Sequence, residues 1–224
     1  MFAAIAPRYD LLNDLLTARR HRAWKRAAAA QAQPQGMRVL DLGSGTGDIA
    51  RELLRAGAAQ VVAADRVPDM LHLARTRSTE VRDPRQRARL DYVVADALQL
   101  PFRDGAFQRV TCGFLIRNVP DVPLALSEML RVLTPGGTVV CLEATRKDGP
   151  AGRVLHAGFS AQARLLGRLA AGAPDAYAYL PDSAAAFYSP AELVALLRSA
   201  GFIDVGYRCF GLGLVALHWG TKPS

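Results

Sequence analysis

The chain has 224 residues, of which 50% are hydrophobic and 21% charged, and this composition suits one ordinary domain with a core of its own. No apolar run is as long as the roughly 18 residues of a membrane-spanning helix, and the start lacks a signal-peptide pattern, so we expect a cytoplasmic protein. Three scattered cysteines argue against a disulfide framework or a zinc site, and the dispersed net charge of +8 favours solvated arginines over a nucleic-acid partner.

Alternating patterns of apolar residues divide the first part of the chain into helices and strands. The predicted elements are a helix or helix pair at residues 11–32, a strand at 37–42, a helix at 49–56, a strand at 60–64, a helix at 69–76, and strands at 90–95 and 107–114. Short apolar runs that stop at glycine are typical of buried parallel strands. Strands that alternate with helices predict a mostly parallel sheet with helices on both faces.

The second part of the chain continues this alternation and then departs from it. The predicted elements are a helix at residues 122–133, a turn at 134–137, a strand at 138–143, a helix at 152–173, a helix at 189–200, and strands at 203–209 and 214–219. Ser189 and Pro190 have the pattern of a helix start, with serine at the N-cap and proline in the first turn. Gly211 and Gly213 join the last two strands, which we expect to form an antiparallel hairpin at the sheet edge.

A glycine-rich loop lies between the first strand and the helix after it. It reads Asp41-Leu42-Gly43-Ser44-Gly45-Thr46-Gly47-Asp48. Glycine allows the backbone to turn tightly and to approach a ligand closely, but the spacing G-x-G-x-G differs from the G-x-G-x-x-G of dinucleotide-binding loops. Two carboxylates, Asp41 and Asp48, would repel a pyrophosphate and suit a cofactor with a cationic end.

Two further acidic residues follow the next two predicted strands. Asp65 ends the second strand, a position from which a carboxylate accepts hydrogen bonds from ribose hydroxyls. Asp96 and Ala97 follow the third strand, where they can border an adenine ring. Together with the glycine loop they predict a nucleoside-containing cofactor at the carboxyl ends of the strands.

The glycine loop, Asp65, Asp96 and the segment Arg131-Val132-Leu133-Thr134-Pro135-Gly136-Gly137 occur in the order that resembles class I S-adenosylmethionine-dependent methyltransferases. A glycine-rich turn in another doubly wound protein is the alternative, and four markers in order make it the weaker one. The resemblance implies a Rossmann-like fold, a mostly parallel seven-stranded sheet, and S-adenosylmethionine as cofactor, with S-adenosylhomocysteine as product. It implies cofactor binding by Asp41, Gly43, Gly45, Thr46, Gly47, Asp65, Arg66, Met70, Asp96, Ala97 and Gly113.

Four other segments resemble the ubiquinone/menaquinone biosynthesis C-methyltransferases. They are residues 9–25, which include Tyr9-Asp10-Leu11-Leu12-Asn13-Asp14 and His21-Arg22-Ala23-Trp24-Lys25, then residues 113–119, 179–183 and 213–220. Enzymes of that family methylate a ring carbon of a polyprenylated quinol, so the resemblance implies such an acceptor. The sequence departs from the family pattern at Gly113, where serine is usual, at Leu115, where glycine is usual, and at Ala144 and Thr145.

These departures lie around the expected acceptor pocket and leave three functions open. The first is C-methylation of demethylmenaquinol or of the corresponding quinol of the ubiquinone pathway. The second is methylation of a phenolic or polyketide acceptor in secondary metabolism. The third is a protein that binds S-adenosylmethionine without transferring its methyl group.

Methylation at a ring carbon requires removal of a phenolic proton and a cation to hold the phenolate. Arg117 is the expected cation and His21 the expected base, because the unperturbed pKa of histidine, about 6.5, suits proton exchange near neutral pH. The other predicted acceptor-binding residues are Tyr9, Phe114, Asn118, Glu143 and Tyr179. In the structural alternatives Arg117 pairs with Asp121, His21 lies on the surface of a packing helix, and Glu143 supports the edge of the core. No metal-ligand spacing occurs.

We expect one domain, residues 1–224, with four parts. They are an N-terminal helical cap at 1–35, a cofactor-binding half at 36–145, a helical cap insertion at 146–188, and a C-terminal helix and strands at 189–224. Residues 154–169 have the pattern of a basic amphipathic helix that can rest on anionic lipid, or of a core helix with solvated arginines. Peripheral contact with the inner face of the membrane and a homodimer are left open.

Overall fold

The computed structural model describes Thr17, residues 19–170 and residues 187–224, with the side chains of residues 151 and 163–170 left out of the description. Its strands form a seven-stranded sheet in the order β3-β2-β1-β4-β5-β7-β6. The strands are β1 Arg38–Leu42, β2 Gln60–Asp65, β3 Leu90–Val94, β4 Phe107–Gly113, β5 Leu133–Ala144, β6 Ile203–Phe210 and β7 Val215–Thr221. The first five are parallel, whereas β7 is antiparallel to both β5 and β6. The predicted mostly parallel sheet with an antiparallel C-terminal hairpin is confirmed.

Helices cover both faces of the sheet. They are α1 Arg20–Gln31, α2 Asp48–Arg55, α3 Pro68–Arg77, α4 Pro84–Arg87, α5 Val122–Val132, α6 Gly149–Ala170 and α7 Pro190–Ser199, with short 3-10 turns at Ser78–Glu80, Ile116–Asn118 and Gly211–Gly213. Successive side chains of a strand point to opposite faces. Val39 therefore packs with the side chains of α1 and α2, and Leu40 packs with those of α5 and α7.

The starts of α7 and α2 differ, because a side chain caps only the first of them. Ser189 caps the start of α7, as the sequence predicts, and the structure adds a reciprocal capping box with Glu192, whose Oε2 accepts from the Ser189 amide at 2.7 Å. The N-cap residue of α2 is Gly47, in a left-handed conformation, and no side chain caps this helix. Amide groups of a first helical turn have no partner within the helix, so an uncapped start beside the glycine loop can receive a ligand.

The prediction of a turn at residues 134–137 is wrong. Leu133 already pairs with Phe107, and the next register pair in the two strands is Thr138 with Arg109. The intervening residues therefore bulge within β5 instead of separating it from α5. Their backbone is held by the chain end, because the Gly136 amide donates to the Lys222 carbonyl at 3.0 Å and the Lys222 amide donates to the Gly137 carbonyl at 2.8 Å. A sequence pattern cannot reveal such a distant partner.

The helix α1 lies against both the sheet and the far hairpin. It packs on α2, and the Trp24 ring stacks with Phe210 at a centroid distance of 6.4 Å. The earlier part of the predicted helix at 11–32 and the end of the predicted helix at 152–173 lie outside the described residues, apart from Thr17 and Arg19. None of the helices in the described part of the chain has the length and hydropathy needed to cross a bilayer.

Candidate active site

The glycine loop turns sharply at the carboxyl end of β1. Gly43, Gly45 and Gly47 all have positive φ angles, of 63°, 53° and 78°, which side chains disfavour. A Cβ atom at Gly43 would lie 2.8 Å from Cδ1 of Leu115, so the turn after β4 packs directly on the loop. Nothing lies within 4 Å of the Cβ position of Gly45, so the middle of the loop faces open space. A ligand can approach the backbone there.

Asp65 joins the end of β2 to this loop. Its Oδ2 accepts a hydrogen bond from the Gly45 amide at 2.8 Å, and its Oδ1 accepts one from the Val67 amide at 2.9 Å. At the end of β3, the Asp96 Oδ1 accepts from the Leu98 amide at 3.0 Å, and Oδ2 lies 3.7 Å from the exposed Arg66 guanidinium. The two predicted strand-end acids therefore lie at one edge of the sheet, and each is oriented by backbone amides.

Asp41 is wholly buried at the end of β1. Its Oδ1 accepts a hydrogen bond from the Thr111 hydroxyl at 2.8 Å, while Oδ2 has no hydrogen-bond partner in the described part of the chain. Burial raises the pKa of Asp41 to about 7, and the Thr111 hydroxyl and the nearby Ala50 amide offset only part of this rise. A buried carboxylate oxygen without a partner fits a site that a cationic or hydrogen-bonding ligand completes.

Four further predicted cofactor residues follow other strands or lie in α3 and within the loop. Met70 in α3 and Ala97 after β3 are buried, and Thr46 is buried within the loop. Gly113 ends β4 where a Cβ atom would lie 2.5 Å from Cδ1 of Ile49, so the side chain of α2 occupies the space that a larger residue would need. The departure from serine at this position is therefore matched by packing against α2.

A cluster of charges beside the loop was missed by sequence reasoning. Asp48, the first residue of α2, forms ion pairs with Lys25 of α1 and with Arg51 one turn later in α2. Burial by itself would raise the pKa of Asp48, but the Lys25 ammonium and the Arg51 guanidinium outweigh it and lower the pKa to about 2. An acid and an arginine three residues apart on a helix give a usable signal for the second pair.

Arg117 lies in the 3-10 turn after β4 and pairs with Glu143 at the end of β5. The two side chains are 5% and 1% exposed, and the Arg117 backbone amide also donates to Glu143 Oε2 at 3.3 Å. The alternative pairing with Asp121 is wrong, because Asp121 caps α5 by accepting from the Leu124 amide at 2.9 Å. Arg117 Nε is buried without a hydrogen-bond partner among the described residues.

The turn that carries Arg117 is held in a strained conformation. Phe114 has a φ of 57°, which is unusual for a residue with a bulky side chain. Its amide donates to the Leu142 carbonyl at 2.7 Å, and its carbonyl accepts from the Asn118 side-chain amide at 2.8 Å. Its ring lies 5.4 Å from the Arg117 guanidinium. Three of the predicted acceptor-side residues, Phe114, Arg117 and Asn118, are thus parts of one interlocked turn.

His21 lies on α1 and is 4% exposed, so it is not on the helix surface. Its Nδ1 is 2.9 Å from the Thr17 hydroxyl. It lines a charged cavity of about 420 Å³ together with Lys25, Asp48 and Arg51. The structure thus places His21 beside the charges of α2, whereas Arg117 faces Glu143. Tyr9 and Tyr179 lie outside the described residues.

Comparison with solved structures defines the fold class. A SAM-dependent methyltransferase from Thermotoga maritima superposes with a TM-score of 0.69 at 21% identity, over 99% of this chain and 97% of that one. A SAM-dependent methyltransferase from Aquifex aeolicus superposes with a TM-score of 0.65 at 17% identity, over 95% of this chain and 97% of that one. At these identities the likeness concerns the fold, which is that of the class I methyltransferases.

Residues 1–222 match the ubiE/COQ5 methyltransferase family, and the chain belongs to it. It is 45% identical over 226 residues to the demethylmenaquinone methyltransferase of Thermus thermophilus, covering all of both chains. It is 42% identical to the ubiquinone/menaquinone biosynthesis C-methyltransferase UbiE of Desulfotalea psychrophila, over 99% of this chain and 89% of that one. The predicted family is confirmed, and the chain is an S-adenosylmethionine-dependent methyltransferase.

Proposed function

We propose that this protein transfers a methyl group from S-adenosylmethionine to a ring carbon of a demethylated quinol in quinone biosynthesis. The observation that carries the proposal is the match to the ubiE/COQ5 family along nearly the whole chain. Relatives that cover the full chain at 42–45% identity are demethylmenaquinone methyltransferases and ubiquinone/menaquinone biosynthesis C-methyltransferases. Demethylmenaquinol or the corresponding quinol of the ubiquinone pathway is the proposed acceptor.

The cofactor is proposed to lie over the glycine loop at the carboxyl ends of β1, β2 and β3. Asp65 would accept hydrogen bonds from the ribose hydroxyls, and Asp96 and Ala97 would border the adenine. The unpartnered Oδ2 of Asp41 and the open space at Gly45 fit a ligand with a cationic end. The other proposed cofactor residues are Gly43, Thr46, Gly47, Arg66, Met70 and Gly113.

When bound, the cofactor supplies a methyl group on a sulfonium, and the protein must align the acceptor with it. The ring carbon becomes nucleophilic when its neighbouring hydroxyl loses a proton. Arg117 is proposed to hold the resulting phenolate, using Nε, a buried donor that Glu143 does not engage. Glu143 orients the guanidinium and keeps the buried pair neutral in sum before the acceptor binds. His21, with its ring fixed by the Thr17 hydroxyl, is the proposed base.

The acceptor is proposed to be covered by the parts of the chain outside the minimal strand and helix alternation. These are the cap at residues 1–35 and the insertion at 146–188, which together with 36–145 and 189–224 form one domain. Phe114 and Asn118 would line the acceptor pocket with Tyr9 and Tyr179. A prenyl tail resides in a bilayer, so we also propose that α6 rests on anionic lipid. Its residues Arg153 and Val154 are exposed, Val154 to 73%.

The decisive experiment incubates the full chain with methyl-labelled S-adenosylmethionine and a short-chain demethylmenaquinol. Label on a ring carbon is the expected result. Label on oxygen, or transfer only to phenols without a tail, would favour the secondary-metabolism alternative. Binding of S-adenosylhomocysteine without any transfer would favour a protein that only binds the cofactor.

Tail length offers a second measurement on the same site. Each methylene that enters an apolar tunnel contributes roughly 0.8 kcal/mol. We therefore expect the KM of the quinol to fall as isoprene units are added, until the tunnel is full. A KM that is independent of tail length would contradict a buried tail and point to a small phenolic acceptor.

A further inference from the structure

The side chain of Arg51 is buried in α2 beside the glycine loop, and all three of its guanidinium nitrogens are engaged. Nη1 donates to the Thr46 carbonyl at 2.7 Å, Nη2 pairs with Asp48 Oδ1 at 2.5 Å, and Nε lies 3.3 Å from Glu80 Oε2. Burying a charge costs several kcal/mol unless its partners compensate, and an apolar side chain would serve equally well for packing alone. A function for the charge itself is therefore worth seeking.

The contact with Thr46 fixes one peptide group of the glycine loop. The peptide between Thr46 and Gly47 has its carbonyl held by Arg51, and its amide donates to the Ser44 carbonyl at 2.9 Å. The plane of that peptide is thus held on both sides. Gly47 leaves only 3.4 Å between its Cβ position and Arg51 Nη1, so the guanidinium lies directly against the loop.

Asp48 links this arrangement to the N-terminal helix. Its carboxylate is shared by Arg51 and by Lys25 of α1, and the Lys25 and Asp48 side chains are only 13% and 24% exposed. The two cations lower the pKa of Asp48 to about 2, so Asp48 carries its negative charge in this link at neutral pH. A chain of contacts therefore runs from α1 through Lys25, Asp48 and Arg51 to the carbonyl of Thr46.

We propose that Arg51 is a positioning residue for the cofactor loop, and that Asp48 and Lys25 make α1 part of the same unit. The guanidinium sets the loop backbone in the conformation that receives the cofactor before the cofactor arrives. This inference rests on the proposed function only for the identity of the cofactor. It assigns to α1, part of the proposed acceptor cap, an effect on cofactor affinity that acts through Lys25, Asp48 and Arg51.

The test measures S-adenosylhomocysteine binding to the full chain by calorimetry, together with steady-state methyl transfer. Replacing Arg51 by methionine keeps the length and removes the hydrogen bonds to Thr46 and Asp48, so we expect Kd to rise about tenfold. We expect the KM for S-adenosylmethionine to rise in parallel and kcat at saturating cofactor to be retained. Arg51→Lys should recover part of the affinity, because an ammonium can still reach the Thr46 carbonyl.

Arg55→Met is the matched control. Arg55 also pairs with an acid three residues earlier in α2, Glu52, at 2.7 Å, but it is solvent-exposed and not hydrogen-bonded to the loop. This variant should bind S-adenosylhomocysteine as the wild type does. Lys25→Met should raise Kd about threefold, as expected for a partly exposed pair. In the Lys25→Met/Arg51→Met double variant the loss should match that of Arg51→Met alone.

Several outcomes would overturn the proposal. Arg51→Met with a wild-type Kd would make Arg51 a structural residue, as would a drop in thermal stability with no change in Kd. An equal loss of affinity in Arg55→Met would show a general charge effect. If Arg51→Met does not fold, Kd is measured for Asp48→Asn and Arg51→Lys instead, and both should bind S-adenosylhomocysteine more weakly than the wild type but more tightly than expected for Arg51→Met; a wild-type Kd in both would overturn the proposal. A wild type that binds S-adenosylhomocysteine but methylates no quinol would contradict the proposed function and leave this test intact.

Discussion

Buried ionisable groups have different surroundings at the carboxyl ends of the parallel strands and in the antiparallel hairpin. At the carboxyl ends of the parallel strands, Glu143 is paired with Arg117. Asp48, which follows the glycine loop after β1, is paired with Lys25 and Arg51. In the hairpin, His218 lies wholly buried in the middle of β7, with Nε2 3.1 Å from the Pro190 carbonyl. Burial lowers the pKa of His218 to about 4, and the hydrogen bond to the carbonyl only partly opposes this.

The difference follows from where each group lies along its strand. Parallel strands present all their carboxyl ends at one edge, so charged side chains there find partners from neighbouring loops. A residue in mid-strand between two other strands has no such partners and is neutral at ordinary pH. Asp41 is informative because it lies at the edge, yet one oxygen has no partner and its pKa is about 7. A cationic or hydrogen-bonding ligand that reaches the carboxyl ends of the strands would therefore stabilise Asp41 in particular.

The largest effect is expected when one member of a buried ion pair at the carboxyl ends of the parallel strands is removed. Arg117→Ala leaves Glu143 buried and unpaired, so the free energy of unfolding should fall by about 3–5 kcal/mol. Turnover should fall by roughly 100-fold or more, because a preorganised donor to the developing charge is lost. S-adenosylhomocysteine affinity should be unchanged. Urea unfolding, quinol methylation and calorimetry measure the three effects.

A double variant separates stability from turnover in that prediction. Arg117→Ala/Glu143→Leu removes the unpaired charge and should regain most of the lost stability without regaining turnover. If the double variant or the single one turns over the quinol near the wild-type rate, Arg117 is a structural residue. In that case the proposed phenolate contact is wrong.

The hairpin side of the comparison is tested by pH. The folded pKa of His218, about 4, lies below its unfolded value of roughly 6.5, so the unfolded chain binds the extra proton first as the pH falls. The contribution of His218 to stability is therefore complete above about pH 6.5 and is lost between there and pH 4. We expect this loss to reach about 3 kcal/mol.

The variant His218→Gln isolates that effect, because glutamine does not titrate. The pH dependence that Asp41 adds to the free energy of unfolding has the opposite sign, because its raised pKa favours the folded state at acidic pH. This contribution is the same in the wild type and in the variant. Urea titrations at pH 7 and pH 4 give the free energy of unfolding of the wild type minus that of the variant. This difference should be about 3 kcal/mol smaller at pH 4 than at pH 7. A difference that does not depend on pH would show that His218 is not neutral in the folded state.

A smaller effect is expected at Asp65, which accepts a hydrogen bond from the glycine loop and forms no ion pair among the described residues. Asp65→Ala removes the acceptor for the Gly45 amide and the proposed acceptor for the ribose, so cofactor affinity should fall by about 1.5–3 kcal/mol. Asp65→Asn retains one oxygen and should lose less. Calorimetric titration with S-adenosylhomocysteine decides this, and an unchanged Kd in a folded Asp65→Ala protein would remove Asp65 from the cofactor site.

The amino-acid sequence by itself determined the order of the elements, the parallel sheet with its closing hairpin, and the family. These follow from local information, namely the periods of apolar residues, the glycine spacing of residues 43–47, and acids at the strand ends such as Asp65. The capping box at Ser189 is equally local, since its two partners are three residues apart. Each of these patterns depends on residues that are close in the chain, so it can be recognised without the fold.

The tertiary structure alone decided which distant groups meet. Arg117 pairs with Glu143, 26 residues away, because β4 and β5 are neighbours in register, whereas the nearer Asp121 is occupied in capping α5. Residues 134–137 bulge within β5, where Gly136 and Gly137 exchange backbone hydrogen bonds with the distant Lys222. Lys25 meets Asp48 because α1 packs on α2. Sequence spacing carries no information on such partners, since strand register and helix packing are fixed only when the whole core assembles.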